Sequence, residues 1–305
     1  MRVQAYRIRT LVFLSLLISS LLFAAGNQEV ASQEELPIVA VSILPQAYFI
    51  DQLAGDLVQT VVLVGEGQSP HSYEPSPSQM AMLAKADVWI LSGTDFELTL
   101  KDKVANLYPN LTIVDGTKGM ELRQLEDHDH EDEELHDENG LNIDRHTWLG
   151  WQQAKTMIET SKQALVQQVG LPSLDLEARK ADLLGRIDTL FESLTEKLAP
   201  QKGTTVFVYH PAFGYFLDSF GIEQKAVETG GKEPTAKDLA NLIALAKQEG
   251  ATVLFVQKQF PTASARTVAE AVGAQVVALD PLAYDWMANI QAMGEALVEA
   301  GKTNE

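Results

Sequence analysis

Hydrophobic and polar positions alternate along this chain in two similar series of short apolar runs, each followed by a helix-forming stretch. In the first series, Ile38-Val-Ala-Val-Ser-Ile43 is a continuous apolar run of the kind a strand buried on both faces needs. The pattern then predicts a helix over 46–53, a strand over 58–64 and a Gly-, Pro- and Ser-dense loop over 65–77. A helix capped by Ser78 and running to Lys85, a strand over 88–91, a helix over 96–107 and a strand over 111–114 complete that series. The second series predicts strands over 204–209, 252–256 and 276–279, with helices over 212–220, 235–248, 263–272 and 284–300. Strands alternating with helices at this spacing specify βαβ units, so the fold class is α/β with a parallel sheet in each of two lobes.

Between the two series, Leu176, Leu183, Leu184, Ile187, Leu190, Phe191, Leu194 and Leu198 recur at helical spacing, with Pro172 before them and Pro200 after. About 25 residues at 1.5 Å each give roughly 37 Å, long enough to run beside both lobes. A helical connector is stiff, so hinge motion is expected to be limited. The division that follows is 1–26 as an export signal, 27–170 as the N-terminal lobe, 171–199 as the linking helix and 200–305 as the C-terminal lobe. The export signal has Arg2, Arg7 and Arg9 ahead of an apolar run from Leu11 to Phe23, and small residues at Ala24-Ala25-Gly26. That run is shorter than the roughly 20 residues of a membrane-spanning helix. Cleavage after Gly26 is the reading, with an uncleaved N-terminal anchor as the alternative.

Composition narrows the function. Lys plus Arg is 23 against 42 for Asp plus Glu, a net charge of −19, which repels phosphate backbones and argues against nucleic acid as a partner. Cysteine is absent, which removes disulfides, thiolate metal sites, Cys nucleophiles and lipid attachment through Cys within these residues. Histidine is sparse, six in 305, but unevenly placed. His128, His130 and His136 lie in 126–138, where twelve of thirteen residues are Asp, Glu or His. Such a run cannot build a core and reads as a surface loop, either a plain solvated tract or a dynamic binder of divalent metal.

The other three, His71, His146 and His210, sit in loops: His71 in the Gly/Pro-rich loop after a strand, His146 just before a helix, His210 directly after the strand Val206-Phe-Val-Tyr209. Asp280 follows another strand in the same way. Ligands of open α/β sheets gather at the carboxyl ends of strands. Three neutral imidazoles and one carboxylate converging there would suit a tetrahedral zinc site.

These segments resemble a known family, the cluster A-I metal receptors of zinc and manganese ABC transporters, and within it the ZnuA-type zinc branch. Pro70-His-Ser-Tyr-Glu-Pro-Ser-Pro77 is similar to that family's His-x-Tyr-Glu-Pro loop, and Ala86-Asp-Val-Trp-Ile-Leu-Ser-Gly93 with Glu97 to the strand and Gly-x-x-x-Glu turn that follow. His210-Pro-Ala-Phe-Gly-Tyr-Phe216, Gly231-Lys-Glu-Pro234 and Asp280-Pro-Leu282 continue the likeness. The resemblance implies two (β/α) lobes joined by one long rigid helix, with the metal in the cleft. It implies His71, His146 and His210 as ligands with Asp280 fourth, and His128, His130 and His136 as an auxiliary metal-binding loop. One departure stands out: Arg145 occupies the place where the family usually carries proline between Asp and His, and Gly150-Trp151 replaces a later Asp-Pro.

The function so implied is a periplasmic, monomeric receptor that captures Zn²⁺ and hands it to an ABC permease and its ATPase at the inner membrane, with no enzymatic activity. The alternatives are a receptor for manganese or another divalent metal, a secreted zinc hydrolase, and an adhesin on the same fold. A hydrolase would be expected to show a His-Glu-x-x-His motif or a general base beside a ligand, and the chain offers only Glu74.

Overall fold

The computed structural model describes residues 36–125, 142–226, 236–248, 250–251, 253–258 and 262–302. The export signal, the acidic segment with His128, His130 and His136, and Gly231–Pro234 lie outside the described residues.

The first lobe is built from β1 (Ile38–Ile43), α1 (Leu44–Leu53), β2 (Gln59–Val64), α2 (Pro77–Leu83), β3 (Val88–Leu91), α3 (Asp95–Leu107) and β4 (Thr112–Asp115). Its strands are all parallel, in the order β2-β1-β3-β4. The central strands β1 and β3 carry only apolar residues and Ser42, and are buried nearly throughout. Helix α4 (Trp151–Gln167) follows the return of the chain at residue 142 and leads into α5 (Ser173–Leu198). The second lobe contains β5 (Thr205–Val208), α6 (Gly214–Asp218), β6 (Glu223–Ala226), α7 (Ala236–Gln248), β7 (Val253–Gln257), α8 (Thr262–Val272), β8 (Gln275–Leu279) and α9 (Trp286–Lys302). Its parallel order, β6-β5-β7-β8, repeats that of the first lobe.

In both sheets the chain moves outward from the first strand and then crosses it to add the third. This places a topological switch point between β1 and β3, and another between β5 and β7. Crevices open off the carboxyl ends of strands at such points.

Helix α5 buries Leu176, Leu183, Ile187, Phe191, Leu194 and Leu198 along one face. Arg179 donates to the Leu53 carbonyl of α1 at 3.2 Å, and Asp188 accepts from Trp151 and Lys155 of α4. Farther along, α9 approaches closely enough that a Cβ on Gly294 would stand 2.4 Å from Leu194. One continuous core runs through both lobes and this helix. Trp286 is its keystone: fully buried, it packs edge-on against Phe49 of α1 at 5.2 Å and lies 6.2 Å from Phe191 of α5. Among the described residues no helix is long and apolar enough to cross a membrane.

Two sequence expectations need correction, and one strand was not expected from the sequence. The cap of α2 is Ser76, not Ser78: Ser76 accepts from the Gln79 amide while the Gln79 side chain returns to the Ser76 amide. Helix α6 is five residues rather than the nine of 212–220. Strand β6, Glu-Gln-Lys-Ala, has no strand-like pattern because it is a polar edge.

Candidate metal centre

The loops after β2 and β5, and the turn before α4, meet in one cleft. Ser69 caps the short 3₁₀ turn Pro70–Ser72, accepting from the His71 amide, and so presents His71 at the carboxyl end of β2. His210 follows β5, and its carbonyl accepts from Gln257 Nε2 at the end of β7, across the second switch point. His146 opens the 3₁₀ turn Thr147–Leu149.

The three imidazoles converge. His210 Nε2 lies 3.0 Å from His71 Nε2 and 3.2 Å from His146 Nε2, and candidate ligand atoms of all three lie within 4.8 Å of one another. His146 and His210 are buried, at 7 % and 3 % exposure.

Behind each of two rings stands a carboxylate. His71 Nδ1 is 2.7 Å from Asp95 Oδ2, and His146 Nδ1 is 2.9 Å from Asp144 Oδ1. An ionised carboxylate can only accept, so Nδ1 carries a proton in both rings, and in the neutral imidazole that leaves the Nε2 lone pair toward the centre. A cation placed among these atoms would take one nitrogen from each ring. Nitrogens about 2.0–2.1 Å from a tetrahedral zinc stand about 3.3 Å apart, close to the spacing seen here.

Electrostatics agree with neutral ligands. Burial first, then the neighbouring charges of His146 and His71, hold the His210 pKa well below the usual 6.5. Burial works against ionised Asp95, but the His71 hydrogen bond and the charges of His71, Arg145 and His146 outweigh it and draw its carboxyl below the ordinary range. Asp144 is fully buried and also accepts from the His146 amide at 3.0 Å, which locks the start of the turn. Its Oδ2 faces Arg123 Nη1 at 3.5 Å, and its carbonyl accepts from Tyr215 of the second lobe. A D144N variant, which keeps the shape but not the charge, is expected to bind zinc 10–100-fold more weakly, as read by competition with a chromophoric chelator.

Asp95 is placed by the turn after β3. Glu97 folds back so that Oε1 accepts from the Ser92 amide and hydroxyl, and Oε2 from the Gly93 amide, at 2.7–2.8 Å. Gly93 has φ +87°, and a Cβ there would stand 2.7 Å from Thr117 Cγ2, so only glycine fits without strain. Burial raises the Glu97 pKa, against the pull of these donors. Replacing Glu97 by alanine strands the buried Ser92 amide and the part-buried Gly93 amide, and a loss of about 1–3 kcal/mol is expected in urea unfolding.

Asp280 is not in the histidine cluster. Its Oδ1 accepts from its own turn, the Leu282 amide at 3.0 Å, and Oδ2 lies 3.9 Å from Lys258. Pro281 and Leu282 line the cleft instead, and the Pro281 carbonyl accepts from Trp148 Nε1. Gln257 Oε1, buried in the cleft wall, has no hydrogen-bond partner among the described residues. Asp95, Asp144 and Gln257, which line or support the cleft, are not among the candidates the sequence marks. The available signals were Asp144 two residues before a candidate ligand and Asp95 inside the Gly-x-x-x-Glu turn.

Two parallel α/β lobes joined by one helix, with side chains gathered in the cleft between them, define a solute-binding receptor. The chain belongs to the ZnuA family: residues 39–300 match the family described as "ZnuA: Zinc-uptake complex component A periplasmic". A putative metal-binding protein of Chlamydia muridarum is 25% identical over 296 residues, covering 95% of this chain and 99% of that one. The zinc-binding lipoprotein AdcA of Streptococcus pneumoniae is 27% identical over 281 residues, 88% of this chain but 55% of AdcA, so the chain spans about half the length of that relative. A solved ZnuA deletion mutant with zinc bound is 32% identical with a TM-score of 0.77, covering 87% of this chain and 98% of that one.

Proposed function

We propose that this protein is the zinc receptor of an ABC uptake system and that His71, His146 and His210 hold the ion it carries. One observation carries the reading: the Nε2 atoms of three histidines meet, His210 Nε2 standing 3.0 and 3.2 Å from the other two, with two of the rings held in register by buried or half-buried carboxylates. Zinc bound to the ZnuA deletion mutant and the zinc-binding name of AdcA support the choice of metal. An all-imidazole set favours zinc over manganese and magnesium, which prefer oxygen. All three ligands come from a single chain, so one protomer completes the site.

The protein is a receptor, not an enzyme, in keeping with its family. Its partner is an ABC transporter, and delivery to the membrane permease with its ATPase is our reading of that partnership. Export through a cleaved segment 1–26 fits the family's periplasmic description. The fourth position is proposed for water or for Asp280 after a turn of its loop, so D280A should cost far less affinity than loss of a histidine.

Residues 126–138 are proposed to gather zinc near the cleft. The chain leaves for that segment and returns from it through the Leu125 amide to Asn142 carbonyl bond at 2.9 Å and the Gln124–Ile143 bridge, immediately before Asp144 and His146.

Titrating the metal-stripped protein with Zn²⁺ and with Mn²⁺, beside a variant lacking 126–138, tests this function. Tight one-to-one zinc binding that survives the deletion, with manganese far weaker, is expected. Tight binding that vanishes with the segment, or manganese equal to zinc, contradicts it.

A further inference from the structure

We infer that Arg145 is a positioning residue that ties the two first-lobe imidazoles into one unit through Asp95, an inference that rests on the zinc-receptor reading above. Its guanidinium reaches out of the His146 loop to the start of α3. There Nε lies 2.9 Å from Asp95 Oδ1, and Nη1 donates to the Gly93 carbonyl at 3.3 Å. The other Asp95 oxygen is the one that orients His71. Asp95 is therefore gripped at both oxygens, by His71 on one and by the neighbour of His146 on the other. A carboxylate held at one oxygen can swing about its Cβ–Cγ bond. Held at both, it fixes the ring it orients.

The sequence makes the position informative. Arg145 stands between Asp144 and His146, where the resemblance leads one to expect proline. Proline would stiffen this loop by fixing φ. Arginine has no such effect on its own backbone, and here it anchors the loop through its side chain instead. The pair is sheltered, with side-chain exposures of 16 % for Arg145 and 21 % for Asp95, so salt screens it less than a surface pair. Arginine's planar fork also serves Asp95 and the Gly93 carbonyl together, which the point charge of lysine does not reproduce. The His146 side of the cleft has a looser counterpart in Arg123, whose Nη1 lies 3.5 Å from Asp144 and whose Nε bonds Asp218 of the second lobe at 2.9 Å. The Arg145 link stays wholly within the first lobe. It keeps two ligands aligned irrespective of how far the second lobe, which carries His210, has closed.

The test uses the full protein, zinc dissociation into excess chelator, and the visible spectrum of the Co²⁺-loaded form, which reports ligand geometry. R145A is expected to release zinc on the order of tenfold faster, the lower end of the effect of losing an orienting partner, and to shift the cobalt bands. R145K should recover part of the rate and R145P little of it. In a D95A background, R145A should add less than about twofold, because the coupling passes through Asp95. A parent-like rate and spectrum for R145A, a parent-like R145P, or an equal R145A effect with and without Asp95 would each overturn the inference. The parent separates this from the larger reading: a parent that takes up no zinc sinks the receptor function itself, whereas a parent that binds tightly beside an indifferent R145A sinks only the role of Arg145.

Discussion

An H210A protein is expected to lose tight zinc binding altogether, by far more than the 10–100-fold that removal of an orienting carboxylate costs. His210 is the central member of the cluster: its Nε2 is the atom within 3.2 Å of both other rings, and it is the candidate ligand that the second lobe supplies. Without it, two first-lobe imidazoles face an open cleft, and closure of the lobes gains nothing from the metal. The measurement is a competitive zinc titration of H210A beside H71A and H146A. An H210A affinity within tenfold of the parent's would contradict the assignment.

The same residue sets a pH dependence in the metal-free protein. The His210 pKa is lowered well below 6.5 on folding, whereas in the unfolded chain it titrates near that value. Below about pH 6.5 the unfolded state therefore takes up a proton that the folded state refuses, so stability falls as pH drops and goes on falling until the folded pKa is reached. Urea unfolding from pH 7.5 down to 5 should show this slope in the parent, and it should be shallower by about one proton in H210Q.

The second large effect is on the fold. Replacing Trp286 by alanine is expected to cost about 3–5 kcal/mol, a large part of the 5–15 kcal/mol that typically holds a protein folded. Its ring is fully buried between α1 and α5, and its Nε1 donates to the Trp148 carbonyl at 2.7 Å. Trp148 in turn donates to the Pro281 carbonyl and lies 5.4 Å from the His146 ring. One side chain thus joins the first lobe, the linking helix, α9 and the turn that carries a candidate ligand. Thermal melting of the metal-free protein should show a drop on the order of 10 °C in W286A. W286F, which keeps most of the volume but orphans the Trp148 carbonyl, should lose about 1–3 kcal/mol. A W286A protein within 1 kcal/mol of the parent would show that the shared core does not bind the lobes together as described.

Much of this architecture is legible in the sequence because its strands are buried on both faces. Runs such as Ile38–Ile43 and Val88–Leu91 have no polar phase to confuse. The same property blurs α6: nearly every residue from Tyr209 to Leu217 is buried, so helical periodicity carries no information there and the predicted helix ran too long. Strand β6 carries no signal in the sequence for the opposite reason, since hydrogen bonding to β5 rather than apolar character makes it a strand. At the site, His71, His146 and His210 were conspicuous as the histidines outside an acidic run. The residues that aim them were not, because Asp95 reaches His71 only through a glycine with positive φ and a buried glutamate that closes the turn. Asp280 had the right topological address, but position at a strand end does not say whether a carboxylate faces the cleft or, as here, caps its own turn.

The most direct test of the central claim is the zinc K-edge X-ray absorption spectrum of the protein loaded with one equivalent of zinc. The account predicts three imidazole nitrogens at about 2.0–2.1 Å with a single oxygen beside them, and loss of one imidazole from the shell in each single His→Ala variant that still takes up metal. A shell dominated by carboxylate oxygen, or one unchanged by those substitutions, would place the zinc elsewhere and contradict it.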